Sequence, residues 1–245
     1  MSKAIKFFVL ILISGYTTVN MAAIYVTHTN IWTTTFWVGE PASNANGGIT
    51  NVASAWDEEW QASFGGFDDP NNRNGFQPAA FIPKQNPFYF ALPYNDIDDN
   101  GARKTNLPAI VAAWADGNTD IYSSVLQGRW IKITNQLGLE AYAQWQDVGP
   151  FGEDDEAYVF GNSTAVPNNS INNHAGLDLS PATRDFLGLT GLDQVDWQFV
   201  DEADVPNGEW TTNFLKVSAV PIPASIFIFA PALIGLLGLR RKARA

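Results

Sequence analysis

The 245-residue chain contains no cysteine, so no disulfide can staple its fold. Histidine is nearly absent. His28 and His174 are the only two, and neither has a Cys or His partner at zinc-ligand spacing. Basic residues are scarce: 14 Lys and Arg stand against 25 Asp and Glu. Lys3, Lys6, Arg240, Arg241, Lys242 and Arg244 lie at the two ends, so the middle holds 8 basic and 25 acidic residues, a net of −17. Such a surface repels nucleic acid and anionic lipid and leaves no counterion-release binding. It suits a secreted domain that meets neutral glycans or divalent cations. Also missing are a Walker loop, a dinucleotide fingerprint and a Gly-x-Ser-x-Gly elbow.

What is present begins with two unusual ends. Lys3 and Lys6 precede a short apolar run, 7–15, and small residues follow at Ala22 and Ala23. That pattern predicts a signal peptide over 1–23, its run too short to span a bilayer comfortably. A retained N-terminal anchor is the alternative. At the other end Val220-Pro221-Ile222-Pro223-Ala224 leads into an apolar stretch, 226–239, and a basic cluster, 240–244. The cluster would stay on the cytoplasmic side of a membrane. Pro-rich box, marginal helix and terminal Arg/Lys together resemble the PEP-CTERM sorting signals in their Val-Pro-Leu-Pro-Ala variant. The resemblance implies a transient membrane anchor at 220–245 and cutting by an exosortase-type enzyme. It also implies delivery to the cell envelope or extracellular matrix of a Gram-negative bacterium. A plain C-terminal anchor is the competing expectation.

Between these ends, 24–219 is long enough for one domain with its own core. Nine Trp and sixteen Phe can fill it. The run 31–37 (IWTTTFW) predicts a first strand and 86–92 another; 54–64 and 107–115 predict short helices. The clearest signal is a hairpin: 129–134 and 139–147 flank Asn135-Gln136-Leu137-Gly138. Leu139, Ala141, Ala143 and Trp145 share one face of its second strand, and Glu140, Tyr142, Gln144 and Gln146 the other. Ser180 is a good N-cap and Pro181 suits the first helical position, so a helix starts there and ends at Gly188. Val195, Trp197 and Phe199 alternate with polar residues as a last strand. Helical signal is scarce, so the expected class is mainly β, a small barrel with loop insertions and short helices.

Three pieces in order resemble the double-psi β-barrel family of rare lipoprotein A-like proteins and expansins. They are Gln146-Asp147-Val148-Gly149-Pro150-Phe151, then Leu177-Asp178-Leu179-Ser180-Pro181-Ala182, then Phe186-Leu187-Gly188-Leu189 followed by a valine-spaced strand. The good match covers 128–201. The family's Arg after the Asp is Val148, its His before Leu-Pro is missing, and the gap from Phe151 to Asp178 is long. The resemblance implies polysaccharide or peptidoglycan as partner, either cleaved by lytic transglycosylase chemistry or only bound. It makes Asp178 the first candidate acid and Asp147 the second. The acid needs a raised pKa, which Leu177 and Leu179 and the negative surroundings favour; the helix starting just after Asp178 opposes it. Glu40 or Asp57 could supply a further carboxylate, which hydrolysis would need about 5 to 9.5 Å away. Trp130, Tyr142, Trp145 and Trp197 lie on the expected strands; any that face outward would stack sugar rings, with Trp145 reading as packed. A structural matrix protein without a catalytic site is the reading from a different class.

One further pattern stands apart. Asp96-Ile97-Asp98-Asp99-Asn100-Gly101 matches the first half of a calcium loop, with Asp96, Asp98 and Asn100 as oxygen donors. Position twelve is Leu107, which excludes an EF-hand and leaves a looser structural calcium site or a solvated turn. No other cofactor is expected.

Overall fold

The structure, a computed structural model, describes residues 25–44 and 46–215. The expected leader (1–23) and sorting tail (220–245) lie outside the described residues. Among the described residues no helix is long and apolar enough to cross a membrane.

Eight strands form: β1 (His28–Thr35), β2 (Arg73–Asn74), β3 (Gln77–Pro78), β4 (Tyr89–Leu92), β5 (Trp130–Asn135), β6 (Glu140–Val148), β7 (Leu177–Leu179) and β8 (Gln194–Val200). Six of them close a barrel in the order β1-β7-β4-β6-β5-β8, while β2 and β3 pair as a small separate ribbon. The barrel is mixed. β1 runs parallel to β7 and β4 parallel to β6; the other four pairings are antiparallel. Four short helices decorate it: α1 (Trp60–Phe64), α2 (Ala109–Trp114), α3 (Glu156–Val159) and α4 (Pro181–Phe186).

Local sequence explains the best-formed parts. The β5–β6 hairpin turns at Gly138, whose φ of 82° suits glycine. The Asn135 side chain accepts from the Leu137 and Leu139 amides and pins the turn. β8 alternates strictly, with Val195, Trp197 and Phe199 inward, and pairs β5 from Trp130–Val200 to Asn135–Val195. α4 starts as expected: Ser180 accepts from the Thr183 amide and Pro181 occupies the first turn.

Side chains from all six barrel strands fill the interior. Phe90, Ile131, Ile133, Trp145, Leu177 and Trp197 are all fully buried there. Each contributes about 1.5–3 kcal/mol by leaving water. Ala141 and Ala143 pair with Ile133 and Ile131, so small residues make room for large ones.

A second apolar layer lies outside the barrel wall. Phe36, Val38, Trp60 and Phe64 pack on Tyr89 and Ala91 of β4. The long excursion between β1 and β4 thus covers one outer face of the sheet. Its polar anchor is buried. The Tyr89 hydroxyl donates to Asp68 Oδ2 at 2.8 Å and accepts from the Val38 amide at 2.9 Å. Arg73 donates to Asp68 Oδ1 at 2.5 Å.

Candidate functional site

The site is built on β4. Ala91 pairs with Asp147 of β6 on one side and with Asp178 of β7 on the other; Asp178 in turn pairs with Thr34 of β1. Paired residues project to the same side of a sheet. The row Asp147–Ala91–Asp178–Thr34 therefore crosses four strands on one face. Two strand spacings separate the aspartate backbones, about 10 Å, and the buried Ala91 lies between them. Tyr89 and Ala91 belong to the outer layer, and Phe90 and Leu92 to the interior, so the row lies outside the barrel.

Asp147 reaches that face through a bulge. Simple alternation from Trp145 would send it inward. The ladder shifts instead: Phe90 pairs with Trp145, but Ala91 pairs with Asp147. Gln146 is the additional residue, and the bulge re-aims the carboxylate. Asp147 is then held by two backbone donors. Its Oδ1 accepts from the Ala55 and Val148 amides, each at 2.8 Å. Burial pushes its pKa up to about 6, against the pull of those two amides.

Asp178 has less support. Its Oδ1 is sealed from water and has no hydrogen-bond partner. The Thr34 hydroxyl lies near enough to ease the charge, yet it too is left without a formed hydrogen bond. Burial, reinforced by the negative charges of Glu40 and Asp147, pushes the Asp178 pKa up to about 7. The expected pull of the following helix toward the carboxylate does not prevail. α4 has only six residues, and its first turn is already capped by Ser180.

Glu40 completes the group. β1 ends, the chain turns at Gly39, and the Glu40 amide closes on the Trp37 carbonyl at 3.0 Å. Gly39 has φ 79°, and a Cβ there would sit 2.9 Å from the Phe67 ring, so only glycine fits. Glu40 Oε2 accepts from Asn51 Nδ2 at 2.9 Å. Burial raises its pKa, partly offset by Asn46, Trp37 and Asn51.

The fold thus brings Asp178, Asp147 and Glu40 together from three separated segments. Asp57 is engaged locally: its Oδ1 accepts from the Glu59 amide and braces the turn before α1. Sequence reasoning missed Thr34, Asn51, Ala91 and the Ala55 amide. None carries a local signal, because each acts through contacts made only after the barrel closes.

Trp130, Trp145 and Trp197 all lie inside or sealed, with exposures of 6%, 0% and 1%, and offer no sugar platform; Tyr142 packs on Trp210. Two other rings lie close in sequence to the segments that hold Asp147. Trp56, adjacent to the Ala55 amide that holds Asp147, donates to Asn95 at 2.9 Å. Phe151, three residues past Val148, is 42% exposed.

In the calcium pattern, Asp96 and Asp98 both accept hydrogen bonds from protein groups. Asp96 is buried and points into the protein, its two oxygens accepting from the Ser124 hydroxyl (2.6 Å) and the Val125 amide (2.8 Å). Asp98 Oδ1 accepts from the Asn100 and Ala102 amides and closes its own turn. Among the described residues no group of three or more His, Cys, Asp or Glu could hold a metal ion.

The molecule is therefore a mainly β protein on a closed six-stranded mixed barrel, an arrangement compatible with a double-psi β-barrel. No protein-family model and no curated protein matches the chain.

Proposed function

We propose that this protein remodels polysaccharide at the cell surface or in the extracellular matrix, cleaving glycosidic bonds on the outer face of a double-psi barrel of the rare lipoprotein A-like kind. Asp178 is the acid and Asp147 the base. The observation that carries the reading is the unpartnered Asp178 Oδ1 beside two further carboxylates. A carboxyl group so placed keeps its proton near neutral pH while Asp147, held by two amides, gives its proton up first. In the reaction Asp178 protonates the glycosidic oxygen as the carbon–oxygen bond breaks. Asp147 takes a proton from the attacking group, either water or a hydroxyl of the same sugar. Phosphate esters and nucleic acids are poor substrates for so negative a face.

Binding without cleavage is the second reading, favoured by the exposed Phe151 ring, which offers an apolar face to sugars. Release of soluble fragments from purified peptidoglycan or extracted exopolysaccharide tests the first reading. Retention on the same polymers without release supports the second. Neither release nor retention leaves a structural matrix protein. In all three readings the leader exports the chain, and the 220–245 tail anchors it until an exosortase-type enzyme acts.

A further inference from the structure

At the opposite end of β1 from Asp178 lies a pocket of about 400 Å³. His28 and Thr34 are six positions apart on β1, which is kinked by a bulge near Asn30. The pocket wall is mostly apolar and includes the Tyr25, Phe160 and Phe199 rings, with Ile110 of α2 and Val159 of α3. Phe160 and Phe199 stack nearly parallel, 5.9 Å apart at 8°. His28 is its one strongly buried polar side chain, 2% exposed. The imidazole stacks on Trp197 at 4.2 Å and 13°, and Tyr158 meets its edge. Packing thus fixes the ring, yet it forms no hydrogen bond to any described residue, and its Nδ1 is buried without a partner.

A buried polar group with no partner is costly unless something satisfies it. Nδ1 itself is sealed, but His28 lines the pocket, so a ligand there lies against the residue. We infer that this pocket is a second binding site, separate from the carboxylate face, for a small neutral ring compound that carries a hydroxyl. The flat face of the ligand lies against the aromatic wall and the hydroxyl meets the His28 imidazole.

The ligand's neutrality follows from the surroundings. Burial lowers the His28 pKa to about 4, so the ring is uncharged at neutral pH and attracts no anion. Tyr25 is uncharged too: burial, and then the hydrogen bond it donates to Asp201, push its pKa up to about 12. Glu156 at the rim repels anions, and nothing deep in the pocket pairs with a cation. Phenols and simple sugars share the required chemistry.

The two histidines make the test direct. In the purified, 15N-labelled protein the imidazole nitrogens of His28 and exposed His174 give separate signals, and His174 serves as the control. Phenol and methyl glucoside are titrated in turn. The inference expects a saturable shift of the His28 signals alone with at least one probe; which probe acts tells an aromatic ligand from a sugar. The same probe should raise the melting temperature of the parent and not of His28→Phe, which can keep the stack on Trp197. Unmoved His28 signals with both probes at tens of millimolar, or equal drift of both histidines, overturns it. Because the readout is neither glycan release nor glycan retention, its failure leaves the carboxylate face untouched.

Discussion

Asp147 and Asp178 flank a single residue, Ala91, each paired to it across one strand boundary. The smallest chiral side chain separates two carboxyl groups whose pKa values are both raised by burial. Ala91→Leu is expected to overfill this gap. It should cost about 1–3 kcal/mol by chemical denaturation and abolish glycan release or retention. Unchanged glycan behaviour in a folded Ala91→Leu variant would place the substrate elsewhere.

Asp178 also sets a pH dependence of stability. Its folded pKa, about 7, lies above the unfolded value of 3.8, so the native state holds the proton more tightly. Its contribution is full below about pH 4 and is lost as pH rises through about 7. Asp147 acts in the same sense over about pH 4 to 6. His28 acts in the opposite sense, since burial keeps it neutral down to about pH 4. The clean measurement is therefore a difference. Asp178→Asn should gain stability over the parent as pH rises from 4 to 8, by a few kcal/mol on the scale of about 1.4 per pKa unit. A pH-independent difference contradicts the raised pKa.

The same two groups set the activity profile. Glycan release should be bell-shaped, greatest between about pH 6 and 7, where Asp178 is protonated and Asp147 ionised. The two carboxyl groups titrate as a pair, so the limbs belong to both. Initial rates across pH 4–9 check this. A plateau extending to pH 9 is incompatible with a carboxylic acid as proton donor.

The buried Arg73–Asp68–Tyr89 cluster fastens the excursion that supplies Glu40, Asn51 and Ala55. Arg73→Met leaves Asp68 buried without its counter-ion and should cost about 3–5 kcal/mol in denaturant unfolding. Substituting an exposed residue such as Lys84 should change stability by no more than about 0.5 kcal/mol. Equal effects at the two positions would mean the cluster is not a fastening.

Much of the barrel was legible because its signals are local. The β5–β6 hairpin, the alternation of β8 and the Ser180–Pro181 helix start each lie within a few residues of their cause. Asp178, Asp147 and Glu40 were each nominated, but their meeting was not visible. It depends on the bulge at Gln146, which exists only as a two-against-one pairing with β4, and on the loop that returns Asn51 and Ala55 to the barrel. Long-range contacts also shape the segment from Asp96 to Gly101. Its turn forms as written around Asp98, while Asp96 is claimed by Ser124 and Val125, far along the chain. The tryptophan strands were recognisable and Trp145 is packed as expected, while closure of the barrel also put Trp130 and Trp197 out of reach of solvent.

The most direct test of the central claim is digestion of purified peptidoglycan and extracted exopolysaccharide by residues 24–219, run beside Asp178→Asn at pH 6.5. Soluble fragments from the parent, lost in a folded Asp178→Asn variant, are the predicted result. Equal release by both proteins, or none from the parent, contradicts an acid role for Asp178.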